Sequence, residues 1–215
     1  MANKFDFDPT GWHTWFDDFD SYTAGDWTLT TTEAGAGSAT EAVGNIDGGV
    51  LVITNDAADN DNDFFQWPKE TFKWESGKSL YFEARFKVLE VLQCDFIMGL
   101  QITDTSPLDA TDGIFFMKDD GDALLDFKVV KNSTATSATG VHTMVADTYV
   151  TVAFYYDGGG SGDIDYMING NTVGSSVLTN VPDDEELTIS FGIQNGEAVA
   201  NVMSVDYILV KKQRD

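Results

Sequence analysis

Leu80-Tyr81-Phe82-Glu83-Ala84-Arg85-Phe86-Lys87-Val88 alternates without a break. Phe82, Ala84, Phe86 and Val88 share one face, and Tyr81, Glu83, Arg85 and Lys87 share the other. Side chains that change sides at every residue have the period of a β-strand with one face in a core. The pattern continues outward on both sides. Phe96–Thr103 sets Phe96, Met98, Leu100 and Ile102 against Gly99, Gln101 and Thr103, and Leu187–Gln194 turns Leu187, Ile189, Phe191 and Ile193 inward. Trp27–Thr32, Gly49–Thr54, Phe64–Trp67, Gly113–Met117, Leu124–Val130, Val141–Val145, Tyr149–Tyr156, Ile164–Ile168, Thr172–Ser176 and Val202–Lys211 read as further strands. Asp119-Asp120-Gly121-Asp122 and Asn169-Gly170 are hairpin turns, the second of type I′. No segment keeps a helical period for three turns. About a dozen strands without intervening helices predict an all-β sandwich of two antiparallel sheets.

The chain has 215 residues, 42% of them hydrophobic, which is enough apolar mass for one large core. No repeat or linker divides it. Residues 1–14 lack a strand period and read as an N-terminal arm, with 15–215 as the sandwich domain. Phe5, Phe7, Trp12 and Trp15 are many large apolar groups to leave in water, so the arm is expected to anchor on a partner.

Twelve Lys and Arg stand against 36 Asp and Glu, a net charge of −24. That charge repels phosphate backbones and anionic lipid, so neither nucleic acid nor membrane is an expected partner. No stretch approaches the roughly 20 apolar residues of a spanning helix, and the N-terminus has no apolar signal core. Cys94 is the only cysteine and sits in an alternating segment, where it packs as a small apolar residue.

Chemistry-bearing motifs are few. His13 and His142 have no ligand spacing for zinc, and no serine stands in a nucleophile elbow. Asp163-Ile164-Asp165 and Asp183-Asp184-Glu185-Glu186 could supply a carboxylate pair, but both sit at turns, where solvated acids are the ordinary finding. Asn55–Asp63 lacks the Gly and Glu of an EF-hand loop and reads as a flexible acidic loop, with an irregular Ca²⁺ site as the alternative.

Several segments together resemble family-16 glycoside hydrolases and their concanavalin-A-like relatives. Leu80–Val88 resembles their Y-G-x-F-E-A-R-x-K strand. Val152–Asp157 with Ile164–Gly170 resembles their I-x-F-Y-V-D-G hairpin, Met203–Val210 their closing M-x-V-D-Y-V-R-V strand, and Phe16-Asp17-Asp18-Phe19 their opening strand. The resemblance implies a concanavalin-A-like jelly-roll sandwich. It also implies a catalytic E-x-D-x-x-E strand, where this chain reads Asp112-Gly113-Ile114-Phe115-Phe116-Met117-Lys118-Asp119. With those carboxylates replaced by apolar residues, the expectation is a protein that is not an enzyme. In such relatives the Asp of the closing strand helps hold a structural Ca²⁺. The matching residue is Asp206, read here as a lone inward carboxylate that needs a metal or a hydrogen-bond donor.

Longer strings resemble concanavalin-A-like structural proteins of tailed bacteriophages: the opening Trp15–Asp20, Gly99–Leu108, Lys118–Asp122 and Pro182–Glu197. That resemblance implies a virion structural protein, a capsid decoration protein on the head exterior. It would assemble in the host cytoplasm and touch the major capsid protein, other virion proteins or copies of itself as a homo-oligomer. The alternative expectation is a glycan-binding, lectin-like module contacting a host surface, with Trp67, Trp74, Tyr155 and Tyr166 as candidate sugar platforms.

Overall fold

A computed structural model describes residues 10–159 and 162–214. Among the described residues, fifteen strands form two antiparallel sheets. In chain order they are β1 Trp12–Asp17, β2 Thr28–Thr32, β3 Thr40–Val43, β4 Leu51–Thr54, β5 Asn62–Gln66, β6 Leu80–Val88, β7 Cys94–Gln101 and β8 Gly113–Lys118. They continue with β9 Leu124–Lys131, β10 Thr134–Thr143, β11 Val150–Tyr156, β12 Asp163–Ile168, β13 Asn171–Val177, β14 Thr188–Asn195 and β15 Val202–Gln213. The first sheet has the order β13-β12-β11-β6-β15-β4-β3, with β1 also paired to β15; the second is β10-β9-β8-β7-β14-β5-β2. This is the predicted jelly-roll sandwich, and β6 lies in the middle of the first sheet.

Alternation builds the core. Phe82, Ala84, Phe86 and Val88 of β6 meet Phe96, Met98 and Leu100 of β7 and Ile189, Phe191 and Ile193 of β14 between the sheets. Cys94 is buried there as expected; burial pushes its thiol up to about 12, with Lys118 pulling the other way. Two tight turns set the hairpins. Asn169 and Gly170 have φ of 49° and 78°, and Asn132 and Ser133 have 49° and 63°, the paired positive φ of type I′ turns. The second turn starts β10, whose first seven residues, Thr134–Gly140, escape the sequence reading. They form an edge strand and bury no apolar row.

β1 revises the expected arm. It runs Trp12–Asp17 and pairs with Lys212 through His13 and with Val210 through Trp15, so the 14/15 boundary falls inside a strand. Trp15 packs edge-on against Trp27 and Trp67 at 5.9 and 5.5 Å, while Lys211 lies 4.9 Å over the Trp12 ring. Both tryptophans are therefore anchored on their own sandwich; Phe5 and Phe7 lie outside the described residues.

Every residue of β8 is buried, which one core cannot explain. Ile114 and Phe116 point between the sheets, while Phe115 and Met117 point to the outer face of the second sheet. There they join Phe64, Ile97 and Val130 in a second apolar cluster, with Leu108 packed against it. Gly99 and Gly192 make the room. A Cβ on Gly99 would lie 2.5 Å from the Phe115 Cα, and one on Gly192 would lie 2.6 Å from the Phe64 Cα. The segment carrying Leu108 is tied down by polar residues of the same face: Gln66 Nε2 donates to the Ile102 carbonyl at 2.9 Å and Gln101 Nε2 to the Pro107 carbonyl at 3.0 Å.

Candidate functional site: an acidic groove beside a sealed sheet face

Toward the other end of this outer face, polar side chains replace the apolar ones. Register places Asp95 of β7 opposite Gln194 of β14, and Asp126 of β9 opposite Met117 of β8. Asp126 and Lys128 fall on the outer face because Leu125, Phe127 and Val129 take the inner one. The side chains form a chain of bonds. Asn62 Nδ2 donates to Gln194 Oε1 at 3.2 Å; Gln194 Nε2 donates to Asp95 Oδ2 at 3.4 Å and to Asn60 Oδ1 at 3.3 Å; Asp95 Oδ1 accepts the Asp120 N–H at 2.8 Å. Lys128 Nζ stands 3.8 Å from Asp119 Oδ2.

Next to this chain is a cavity of about 310 Å³ lined by Asp119, Asp122, Leu124, Asp126, Thr139 and Gly140. The β8–β9 turn shapes one wall, where Asp122 Oδ1 accepts the Leu124 N–H at 2.7 Å. A register shift in β10 between Ala138 and His142 shapes the other, where Asp126 Oδ1 accepts the Gly140 N–H at 2.8 Å. Burial holds the Asp95 carboxyl above the usual carboxylate range; the Asp120 N–H opposes this, while the Asp120 and Asp119 charges add to it. The cavity and the polar row beside it, together the groove, thus offer carboxylates and amides that can pair with hydroxyl groups, one carboxyl in the row that burial holds above the usual range, and one ammonium.

The residues singled out from sequence are scattered. Asp206 does not face inward: a bulge between Val205 and Tyr207 turns it onto the outer face of the first sheet. Arg85 Nη1 donates to it there, and that guanidinium also lies 4.1 Å over the Tyr149 ring. The carboxylate that was expected to need a metal or a donor thus has an arginine. Asp165 is exposed on β12, Asp183 and Asp184 pair with Lys131, and Glu186 pairs with Lys73, all in solvated settings. Trp74 packs on Tyr156, Tyr166 on Phe127, and Trp67 on Trp15 and Trp27, so three of the four proposed sugar platforms belong to the core; Tyr155 is on the first sheet's outer face, edge-on to Tyr81. His13 stacks on Phe72 at 4.5 Å, and burial lowers its pKa. The Asn55–Asp63 loop is less free than expected, since Asn55, Asp61, Asn62 and Asp63 are all buried.

No protein-family description and no curated protein matches the sequence. Solved structures do match the fold. An endo-1,3-beta-glucanase from Streptomyces sioyaensis is 16% identical with a TM-score of 0.66, covering 97% of this chain and 99% of its own. A family-16 glycoside hydrolase of the Bacteroides ovatus mixed-linkage glucan locus is 14% identical with a TM-score of 0.66, covering 91% and 99%. The carbohydrate recognition domain of Emp46p, in a potassium-bound form, is 10% identical with a TM-score of 0.58, covering 86% and 88%. The fold is therefore concanavalin-A-like. These neighbours also correct the expectation that the chain is not an enzyme, since glycoside hydrolases stand among the structures most like it. The apolar residues at 113–117 describe one strand and do not set this sandwich apart from enzymes.

Proposed function

We propose that the chain is a carbohydrate-recognising β-sandwich and that its sugar site is the groove formed by Asp95, Gln194, Asn62, Asp119, Asp126 and Lys128. The observation that carries this reading is the convergence of carboxylates and amides from β5, β7, β9 and β14 beside a cavity, on a face otherwise sealed by Phe115, Met117 and Leu108. Vicinal sugar hydroxyls bond such groups in pairs, while the exposed Leu124 on the cavity wall offers apolar surface to the ring C–H groups. The glucanase and the carbohydrate recognition domain among the fold's neighbours support the same ligand class.

The test is calorimetric titration with laminarin, mixed-linkage β-glucan and polyglucuronate, for the wild type and for Asp95→Asn and Gln194→Ala. Saturable heat that both variants lose is expected. Absence of heat for all three polymers at millimolar sugar would sink the reading. Reducing ends measured in the same samples would extend it from recognition to cleavage.

A second reading concerns where the module works. Of the four strings that resemble phage structural proteins, Gly99–Leu108, Lys118–Asp122 and Pro182–Glu197 lie on or beside the sheet bearing the groove, and Trp15–Asp20 begins in β1 of the other sheet. They support a head-exterior virion component that displays this face outward and docks on the capsid by another surface. Mass spectrometry of purified particles tests it; absence of the chain from them refutes it.

A further inference from the structure

At the open edge of the sandwich, on the opposite face of β5 from the groove, oxygen atoms are left without partners. β2 and β3 are the last strands of the two sheets on this side. Thr31 pairs in register with Asp63, and Thr31 Oγ1 donates to Asp63 Oδ1 at 2.6 Å. Asp63 is 1% exposed, yet its Oδ2 has no hydrogen-bond partner. The Tyr22 ring stands edge-on to Phe65, two residues along the same face, and the Tyr22 hydroxyl is likewise buried and unpartnered. Glu41 pairs with Ile53, a core residue, so it too faces the space between the sheets.

The surrounding charges are of one sign. Glu41, Glu33 and Asp61 act on Asp63, and Glu41 and Asp63 act on Tyr22. Burial is the leading cause in both cases, lifting Asp63 to about 6 and Tyr22 to about 12. A buried carboxylate with one donor and three like charges around it is a costly arrangement unless a positive charge enters.

We propose that this edge is a cation site, with Asp63 Oδ2 and Tyr22 Oη as its buried oxygens and Glu41 as a second carboxylate, and that it takes a hard divalent cation of the calcium class. Among the described residues no group of three or more His, Cys, Asp or Glu side chains is gathered to hold a metal. The occupant must therefore complete its shell with water and accept an irregular arrangement of protein oxygens; the flexible coordination of calcium allows that, whereas magnesium demands a near-ideal octahedron. A single proton would silence Asp63 but leave the field of Glu41, Glu33 and Asp61 in place. Asp206, with its arginine, is not part of this site.

The experiment is thermal unfolding of the full chain in chelator, then with calcium, magnesium or matched sodium chloride. A site of the weak class, with Kd of about 1 mM, raises Tm by roughly 3–6 °C at about 10 mM calcium. Magnesium and sodium should give less, and Asp63→Asn should abolish the rise. Because Asp63→Asn could fail to fold, Glu41→Gln at the half-exposed edge and terbium luminescence of the wild type provide independent readings. The expected results are a weaker calcium shift in Glu41→Gln and a terbium signal displaced by calcium. No calcium shift in the wild type, an undiminished shift in either variant, or no displaceable terbium signal overturns the proposal. Stability that follows pH through about 6 without following calcium would identify the positive charge as a proton and also overturn it.

Discussion

Asp63 turns stability into a function of pH, and replacing it with Asn isolates the effect. Its carboxyl is raised from 3.8 to about 6 in the folded chain. The shift of about two pK units corresponds to roughly 3 kcal/mol. The sign follows from proton binding: the folded state holds this proton more tightly than the unfolded state. The penalty for a buried charge is therefore absent below about pH 4, grows between 4 and 6, and is complete above. Asp63→Asn has no charge to bury. Its amide keeps an oxygen for Thr31 and leaves an N–H₂ group where Oδ2 was, at a cost of about 1–3 kcal/mol that does not vary with pH. Relative to the wild type, the variant should thus gain roughly 3 kcal/mol between pH 4 and pH 7.5, or about 6–12 °C in Tm for a chain of this size. Urea unfolding followed by tryptophan fluorescence, in chelator and at several pH values, measures it. Other carboxylates add slope to both proteins, Asp17 and Asp95 among them since burial raises both, so the decisive quantity is the difference. Parallel stability curves would refute the reasoning.

Three further outcomes follow from packing. Phe115→Ala opens a void in the outer cluster under Leu108, and the loss should be about 3–5 kcal/mol by denaturant unfolding, with faster proteolysis within residues 102–112. Arg85→Ala removes the partner of Asp206, but both side chains are partly exposed, so the cost should stay near 1 kcal/mol or below. Deleting residues 1–17 removes β1 and the contacts of Trp15 with Trp27 and Trp67 and should cost roughly 3 kcal/mol or more by denaturant unfolding.

Much of this architecture can be read locally. The alternation of Leu80–Val88 identifies a strand with a core face, and Asn169-Gly170 identifies its type of turn, because both depend on neighbours in sequence. β10 is illegible because an edge strand need not alternate, and Thr and Ser satisfy it as well as Val would. Asp206 reads as inward until a bulge, set by pairing with β6 and not by the Asp itself, reverses it. The groove is harder still. Asp126 and Lys128 can be assigned to an outer face from Leu125 and Phe127, but Asp95 meets Gln194 and Asn62 only once β7, β14 and β5 are adjacent. The glycine lane of Gly99 and Gly192 gives no hint in sequence that it cradles Phe115 and Phe64.

The inward carboxylates at the open edge have one more effect. Exposed edge strands invite a strand from another molecule, and a charge pointing into the sandwich beside such an edge discourages that pairing. β2, with the sequence Thr-Leu-Thr-Thr-Thr, would otherwise be a good template, β-prone and uncharged, while β3 carries Glu41 itself. A strand added beside either would bring its inner side chains up against Glu41 and Asp63. The opposite edge is protected differently, since β10 and β13 approach each other and close it. Replacing the acids of this edge by neutral residues would thus exchange a cost in folding for a risk of aggregation.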